Sequence, residues 1–245
     1  MDHSPTILEL VSNGTMSAEM AATLWAAMDE QRSFVVAAIP RLAGKTTVSN
    51  AMLGMLPPDI PVHRLSGDED DVTRLKREAT GGYLVVGEFS QGPISNYIWG
   101  RPVRQVFDAL ASGYSLATAL HAPGLFETFD VICQGNGVTD EEASRIDLMV
   151  YIRRFGDGPA SFWRRITEIH EVDHVESGHP HGRLLHRWIE DKDTFETVER
   201  PQLIHADHSD LSKRAALLKR MAESGETTTA NVAHMIARNG GPSAP

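Results

Sequence analysis

The stretch Phe34-Val35-Val36-Ala37-Ala38-Ile39-Pro40-Arg41-Leu42-Ala43-Gly44-Lys45-Thr46-Thr47-Val48 decides the fold. Its first six residues are a short, continuous apolar run rich in β-branching, which reads as a strand buried on both faces of a parallel sheet. Pro40 to Gly44 read as a turn, and Lys45 to Leu56 as a helix stopped by Pro57-Pro58. A strand, a turn and a helix that opens on Gly44-Lys45-Thr46-Thr47 is the setting of a phosphate-binding loop. There, backbone N–H groups and the helix N-terminus hold phosphate oxygens, a lysine reaches the β/γ oxygens, and a Ser/Thr hydroxyl meets magnesium. Ala43, Gly44, Lys45, Thr46 and Thr47 are therefore the candidate phosphate-binding residues. The full pattern wants a glycine five residues before Gly44, and Ile39 stands there, followed by Pro40. Proline removes a backbone donor, and a β-branched residue resists the positive φ that glycine adopts.

The same rhythm continues outward. Tyr83 to Gly87 and Ser115 to Leu120 read as further buried strands, ending at Glu88 and His121. Open α/β sheets bind ligands at the carboxyl ends of their strands. Glu88 is thus a candidate to hold magnesium's shell or polarise a water, and His121 stands where such a sheet places its ligand. Residues 7 to 30 read as two helices, with Asn13-Gly14 ending the first and Ser17 capping the second. Ile60 to Leu65 reads as a strand, Asp68 to Asp71 as a solvated acidic loop, and Val72 to Thr80 as a helix. Residues 91 to 102 read as a loop, and Val103 to Ser112, Leu125 to Cys133 and Asp140 to Arg145 as helices. Leu148 to Arg153 and Phe162 to Val172 read as strands joined by the turn Gly156-Asp157-Gly158-Pro159. Residues 173 to 183, rich in His, Gly and Pro, separate these from a strand at Leu184 to Ile189. Leu211 to Ser224 and Asn231 to Arg238 read as helices, with a frayed tail from Gly240. Strands alternating with helices imply a mainly parallel sheet with helices on both faces.

Lys45 after its strand, Val86-Gly87-Glu88, and Thr118-Ala119-Leu120-His121-Ala122 together resemble the motor ATPases of type II and type IV secretion and type IV pilus systems. The matching motifs are that family's Walker A loop, its Walker B segment ending Gly-Glu, and its His box Thr-x-x-His-Ala. Leu8 to Leu24, Ala109 to Gly113, Ile146 to Val150 and Arg164 to Ile169 are similar to its flanking segments, so the resemblance spans about residues 6 to 190. It departs at Ile39 to Ala43, and at Phe89-Ser90, where the family has arginine after Gly-Glu. The family's acidic box has its nearest candidate in Asp68 to Asp71, and the sequence offers no room before residue 6 for the motors' N-terminal domain.

The resemblance implies a RecA-like P-loop NTPase domain over residues 6–208, of α/β class, with a small helical C-terminal appendage over 209–245. It implies ATP and Mg²⁺ as cofactors. Lys45 would hold the β/γ-phosphates, Thr46 and Glu88 the magnesium, and Glu88 and His121 would serve hydrolysis. The expected function is ATP binding with slow hydrolysis, coupled to assembly or remodelling of a partner complex of secretion or pilus type. Two alternatives stay open: a non-catalytic pseudo-ATPase interaction subunit, and a P-loop kinase, in which Arg153-Arg154 would serve a lid and the His box would have no role.

Composition limits the partners. The chain has 245 residues, 41% hydrophobic and 23% charged, enough apolar material for a core. Lys plus Arg number 23 against 33 Asp plus Glu, a formal charge of −10, which excludes the global basic field of a nucleic-acid binder. One cysteine, Cys133, excludes an internal disulfide and reads as a small hydrophobe in a reducing compartment. No basic-then-apolar leader opens Met1-Asp2-His3-Ser4-Pro5, and no apolar run approaches the roughly 20 residues that span a bilayer. The expectation is a cytoplasmic protein that meets membranes only through partners and self-associates weakly. Seven of eleven histidines lie between His170 and His208, a tract without a spacing diagnostic of one metal geometry. Arg153-Arg154 and Arg164-Arg165 read as surface charges on a hairpin, with one of them open to contact phosphate or a neighbouring subunit, and Trp99 as a cover for the core or a partner contact.

Overall fold

A computed structural model describes residues 4–156, 158 and 162–239, leaving aside the side chain of Glu69. The opening Met1-Asp2-His3, part of the turn at 156–159 and the tail from Gly240 lie outside the described residues.

β1 (Phe34–Ala38) is the centre of the sheet, and every residue of it is buried. It pairs in parallel with β6 (Tyr114–Leu120) on one side and β7 (Leu148–Phe155) on the other. β3 (Gly82–Val85) lies parallel against β6, and β2 (Val62–Arg64) parallel against β3. Beyond β7 the chain turns back in antiparallel hairpins through β8 (Trp163–Glu176), β9 (His179–Ile189) and β10 (Thr194–Thr197). One eight-stranded sheet results, in the order β10-β9-β8-β7-β1-β6-β3-β2. A separate short parallel pair joins β4 (Glu88–Phe89) to β5 (Tyr97–Ile98).

Alternation along β1 serves two cores at once. Phe34, Val36 and Ala38 face a core built with α1 (Ile7–Ser12), α2 (Ala18–Asp29), α3 (Lys45–Leu53), α8 (His208–Glu223) and α9 (Thr229–Asn239). Val35 and Ala37 face the other core, built with α4 (Glu69–Glu78), α5 (Arg101–Leu110), α6 (Leu125–Phe129) and α7 (Asp140–Ala143). A π-helical turn, Asp130–Gly135, continues α6. Thr6 and Glu9 form a capping box on α1, and Ser17 accepts the Met20 N–H to start α2. Trp25 lies wholly inside the first core, with Arg214 of α8 stacked over its ring at 4.5 Å and paired to Asp29 at 2.6 Å.

Several expectations are corrected. Residues 173–183 are the ends of β8 and β9 with a two-residue turn at Ser177-Gly178, not a connecting loop. The acidic run opens α4, with the Asp68 side chain accepting from the Asp70 N–H, rather than forming a solvated loop. Residues 91–102 contain β5 and the first turn of α5, whose Pro102 sits where a helix needs no N–H. β10 is an additional edge strand. Trp99 is half-buried and lies over Gly135. No helix among the described residues is long and apolar enough to cross a membrane.

Candidate functional site

Because β1, β3 and β6 run parallel, the segments that leave their carboxyl ends emerge along one edge of the sheet. The turn 39–44 leaves β1, Glu88 follows β3, and His121 follows β6. All three converge on a cavity of about 560 Å³, whose lining includes Gly44, Lys45, Thr46, Glu88, His121 and Arg164. Ala43 and Thr47 line it as well, so every expected site residue faces one space.

Lys45 is the first residue of α3, and only 7% of it is exposed; Glu88 is exposed by 4%. Lys45 Nζ stands 3.2 Å from Glu88 Oε2 and 3.0 Å from His121 Nε2. His121 Nε2 stands 3.4 Å from Glu88 Oε1, and its Nδ1 lies 3.2 Å from the Ala38 carbonyl. The three side chains form a closed triangle at the floor of the cavity. Burial lowers the Lys45 pKa despite the attraction of Glu88, and Arg41 at the rim lowers it further. A lysine held this way gains when an anion arrives to offset its lost hydration.

The turn itself departs from the expected strain. Ile39-Pro40 is a cis peptide, and Ile39 does not adopt positive φ. The left-handed positions are Leu42 at φ +63° and Gly44 at φ +105°. Gly44 is required twice over. Its φ disfavours a side chain, and a Cβ there would lie 3.0 Å from Arg164 Cδ. Arg164 reaches over from β8 and donates from Nη2 to the Leu42 carbonyl at 3.2 Å. Burial, and then the neighbouring Arg154, lower its pKa. The Nε atoms of Arg154 and Arg164 are buried without a hydrogen-bond partner among the described residues. Both guanidinium groups lie 4.6 Å from the Phe162 ring. Arg153 and Arg165 point elsewhere, to Glu190 and to Asp193.

Tyr97, Ile94 and Arg41 also line the cavity and were not legible as site residues. Tyr97 comes from β5, which lies against β4 and so beside Glu88. Burial and the Glu88 carboxylate, to which its hydroxyl is bonded, raise its pKa. Gly87 permits this approach, since a Cβ there would lie 2.3 Å from Asn96 Nδ2. Nothing in the spacing of a Tyr in a Gly/Pro loop announces that contact. Asp68 to Asp71 do not line the cavity. Phe89, where the resembled family has arginine, is a core residue packed on Phe107 with ring centroids 6.0 Å apart.

Three of the clustered histidines go separate ways. His186 is buried between Thr23 and Thr197, His170 meets Glu168, and His205 meets Glu30. Cys133 is half-buried, and burial with Asp140 and Asp130 nearby pushes its thiol up to about 11, which disfavours the nucleophilic thiolate.

No family model matches the chain, and no curated protein matches its sequence. Among solved structures, it is similar to the VirB11 ATPase of the Brucella suis type IV secretion system in complex with sulphate, with a TM-score of 0.46 and 18% identity. That match covers 70% of this chain and 57% of the other. It is also similar to the Legionella pneumophila ATPase DotB, with a TM-score of 0.41 and 13% identity over 86% of this chain and 57% of the other. The chain thus spans just over half the length of each.

Proposed function

We propose that the cavity at the carboxyl edge of the sheet binds ATP with Mg²⁺, and that the chain is a RecA-like P-loop ATPase whose slow hydrolysis is coupled to assembly or remodelling of a partner complex. The observation that carries this is the triangle of Lys45, Glu88 and His121 beneath the N-terminus of α3. The residues present fit the group. Gly44 keeps the backbone open to a phosphate, and the dipole of α3 favours its charge. Lys45 can exchange its pairing with Glu88 for phosphate oxygens, and Arg164 adds a second cation from the cavity wall. The exposed Thr46 hydroxyl and the Glu88 carboxylate are the oxygen ligands that magnesium prefers. Bound magnesium would neutralise phosphate charge. Glu88, released from Lys45, would orient and polarise a water, and His121 would meet the γ-phosphate.

Calorimetric titration with Mg-ATP tests the reading. Lys45→Ala removes charge-assisted hydrogen bonds worth about 1.5–3 kcal/mol, so affinity should fall by about tenfold or more. Equal affinity in both proteins would remove the phosphate-loop assignment. Glu88→Gln keeps the shape but loses the carboxylate, so binding should persist while phosphate release drops.

A second reading, a non-catalytic subunit, is favoured by one observation. Both Glu88 oxygens are already engaged, one by Lys45 and one by His121. ATP binding with no phosphate release above the Lys45→Ala background, with and without candidate partners, would select it.

A further inference from the structure

The hairpin between β8 and β9 turns on Ser177 at φ +53° and Gly178 at φ +77°. Positive φ at both central residues marks the tight turn whose twist matches that of the paired strands. The register then places His174 opposite His181 and Glu176 opposite His179. Since side chains two apart on a strand share a face, His174, Glu176 and His181 stand together on one side. One ligand atom from each lies within 4.8 Å of the others, and all three side chains are exposed. The imidazoles are stacked, with centroids 4.7 Å apart and planes 4° from parallel. Glu176 Oε2 lies 3.9 Å from His181 Nε2. His179, the fourth corner, turns its ring toward Phe126 at 6.3 Å instead.

The backbone beneath is fixed. Both Asp140 oxygens hold the turn, accepting from the Ser177 N–H at 2.6 Å and the Gly178 N–H at 2.9 Å. Ser144 Oγ accepts from the Val175 N–H at 2.8 Å. Three ligands on a braced hairpin need only side-chain rotation to converge.

We propose that His174, Glu176 and His181 form a binding site for a divalent first-row transition cation, zinc foremost. Zinc takes imidazole nitrogens and carboxylate oxygens at about 2.0–2.2 Å in tetrahedral geometry, which sets ligand atoms about 3.3 Å apart. From a spread within 4.8 Å, the contraction needed is at most about 1.5 Å, and exposed side chains can supply it. Two imidazoles select zinc, nickel or copper over magnesium and calcium, which require oxygen ligands. The site is therefore chemically separate from the proposed nucleotide cavity. Three protein ligands leave one position open for water or for a side chain of another molecule.

The test uses the 245-residue chain without an affinity tag, titrated with zinc chloride and followed by calorimetry, metal analysis and NMR of the histidine rings. One zinc per chain is expected, with the ring signals of His174 and His181 shifting and those of His63 and His234 unmoved. Excess magnesium should not displace it. Partners outside the metal's own ligands already change affinity by about 10–100-fold, so His174→Ala/His181→Ala should weaken binding by at least about tenfold. Lys45→Ala should retain the zinc, which keeps this result distinct from that of the nucleotide site. Absence of zinc binding, ring shifts confined to other histidines, or unchanged affinity in the folded double variant would each overturn the proposal. Should the double variant fail to fold, the ring signals of the wild-type chain decide alone.

Discussion

Leu42 sets an exposed leucine in a left-handed backbone conformation at the mouth of the cavity, with 79% of its surface in solvent. An L-residue there costs about 1–2 kcal/mol relative to right-handed backbone. The side chain recovers little of that by burial. Leu42→Gly removes the steric cost and adds about 0.5–1 kcal/mol of unfolded-chain entropy against folding. Stability should therefore stay level or rise by up to about 1.5 kcal/mol, read from the denaturant midpoint. A clear loss would mean that the leucine side chain packs against the turn. The sequence pointed to strain at Ile39, because it stands where a phosphate loop has glycine. Which residue of a six-residue turn takes the left-handed position depends on the path back to α3, along which Arg164 lies beside Gly44 and donates to the Leu42 carbonyl.

At the scale of elements, β9 is tied to α2 and β10 through one buried imidazole. His186 Nε2 lies 2.8 Å from Thr23 Oγ1, and Nδ1 lies 3.2 Å from Thr197 Oγ1. Burial pulls its pKa down to about 4, from an ordinary value near 6.5. Between those two values the unfolded chain binds a proton that the folded chain rejects. Stability from this group is complete above about pH 6.5 and is lost as pH falls toward 4, by about 3 kcal/mol over the window. His186→Gln should flatten that slope. Melting both proteins at pH 7 and pH 4.5 checks it, and parallel losses in the two would place the acid sensitivity elsewhere. The parallel strands were legible because continuous burial leaves continuous apolar runs, as in β1. Phe162 to Val172 and Leu184 to Ile189 were legible as strands too, but the tip of the hairpin that joins β8 to β9 was not. That tip alternates His174, Glu176, His179 and His181 with Val175, Pro180 and Gly182, so the period of two is written in polar residues. β10, Thr-Phe-Glu-Thr on an exposed edge, carries still less apolar signal.

For the whole molecule, the sequence made the C-terminal ends of β1, β3 and β6 the place to look, and the parallel pairing brings Lys45, Glu88 and His121 to one cavity. Tyr97 was beyond its reach, because it arrives through the pairing of β5 on β4, which has no local signature; the hairpin of β7 and β8 was legible from its turn, but not which of its four arginines faces the cavity. The helices after residue 208 pose a related question. Read locally, α8 and α9 are an amphipathic pair that closes the chain. In three dimensions Leu218, Met221, Val232, Met235 and Ile236 share the core that holds Trp25, Phe34 and Val36. Arg214 is buried against Trp25 and paired with both Asp29 and Asp210. A chain ended at residue 208 would expose the α1 and α2 surfaces beneath and leave the buried Asp29 without its guanidinium partner. Stripping one member of a buried ion pair costs about 3–5 kcal/mol, and a typical domain has only about 5–15 kcal/mol in total. The truncated chain should therefore lose its cooperative thermal transition or melt far lower. If it instead melts within a few degrees of the full chain and still titrates Mg-ATP with the same affinity, residues 6–208 form an independent nucleotide-binding unit, and the last two helices are an appendage in energy as well as in sequence.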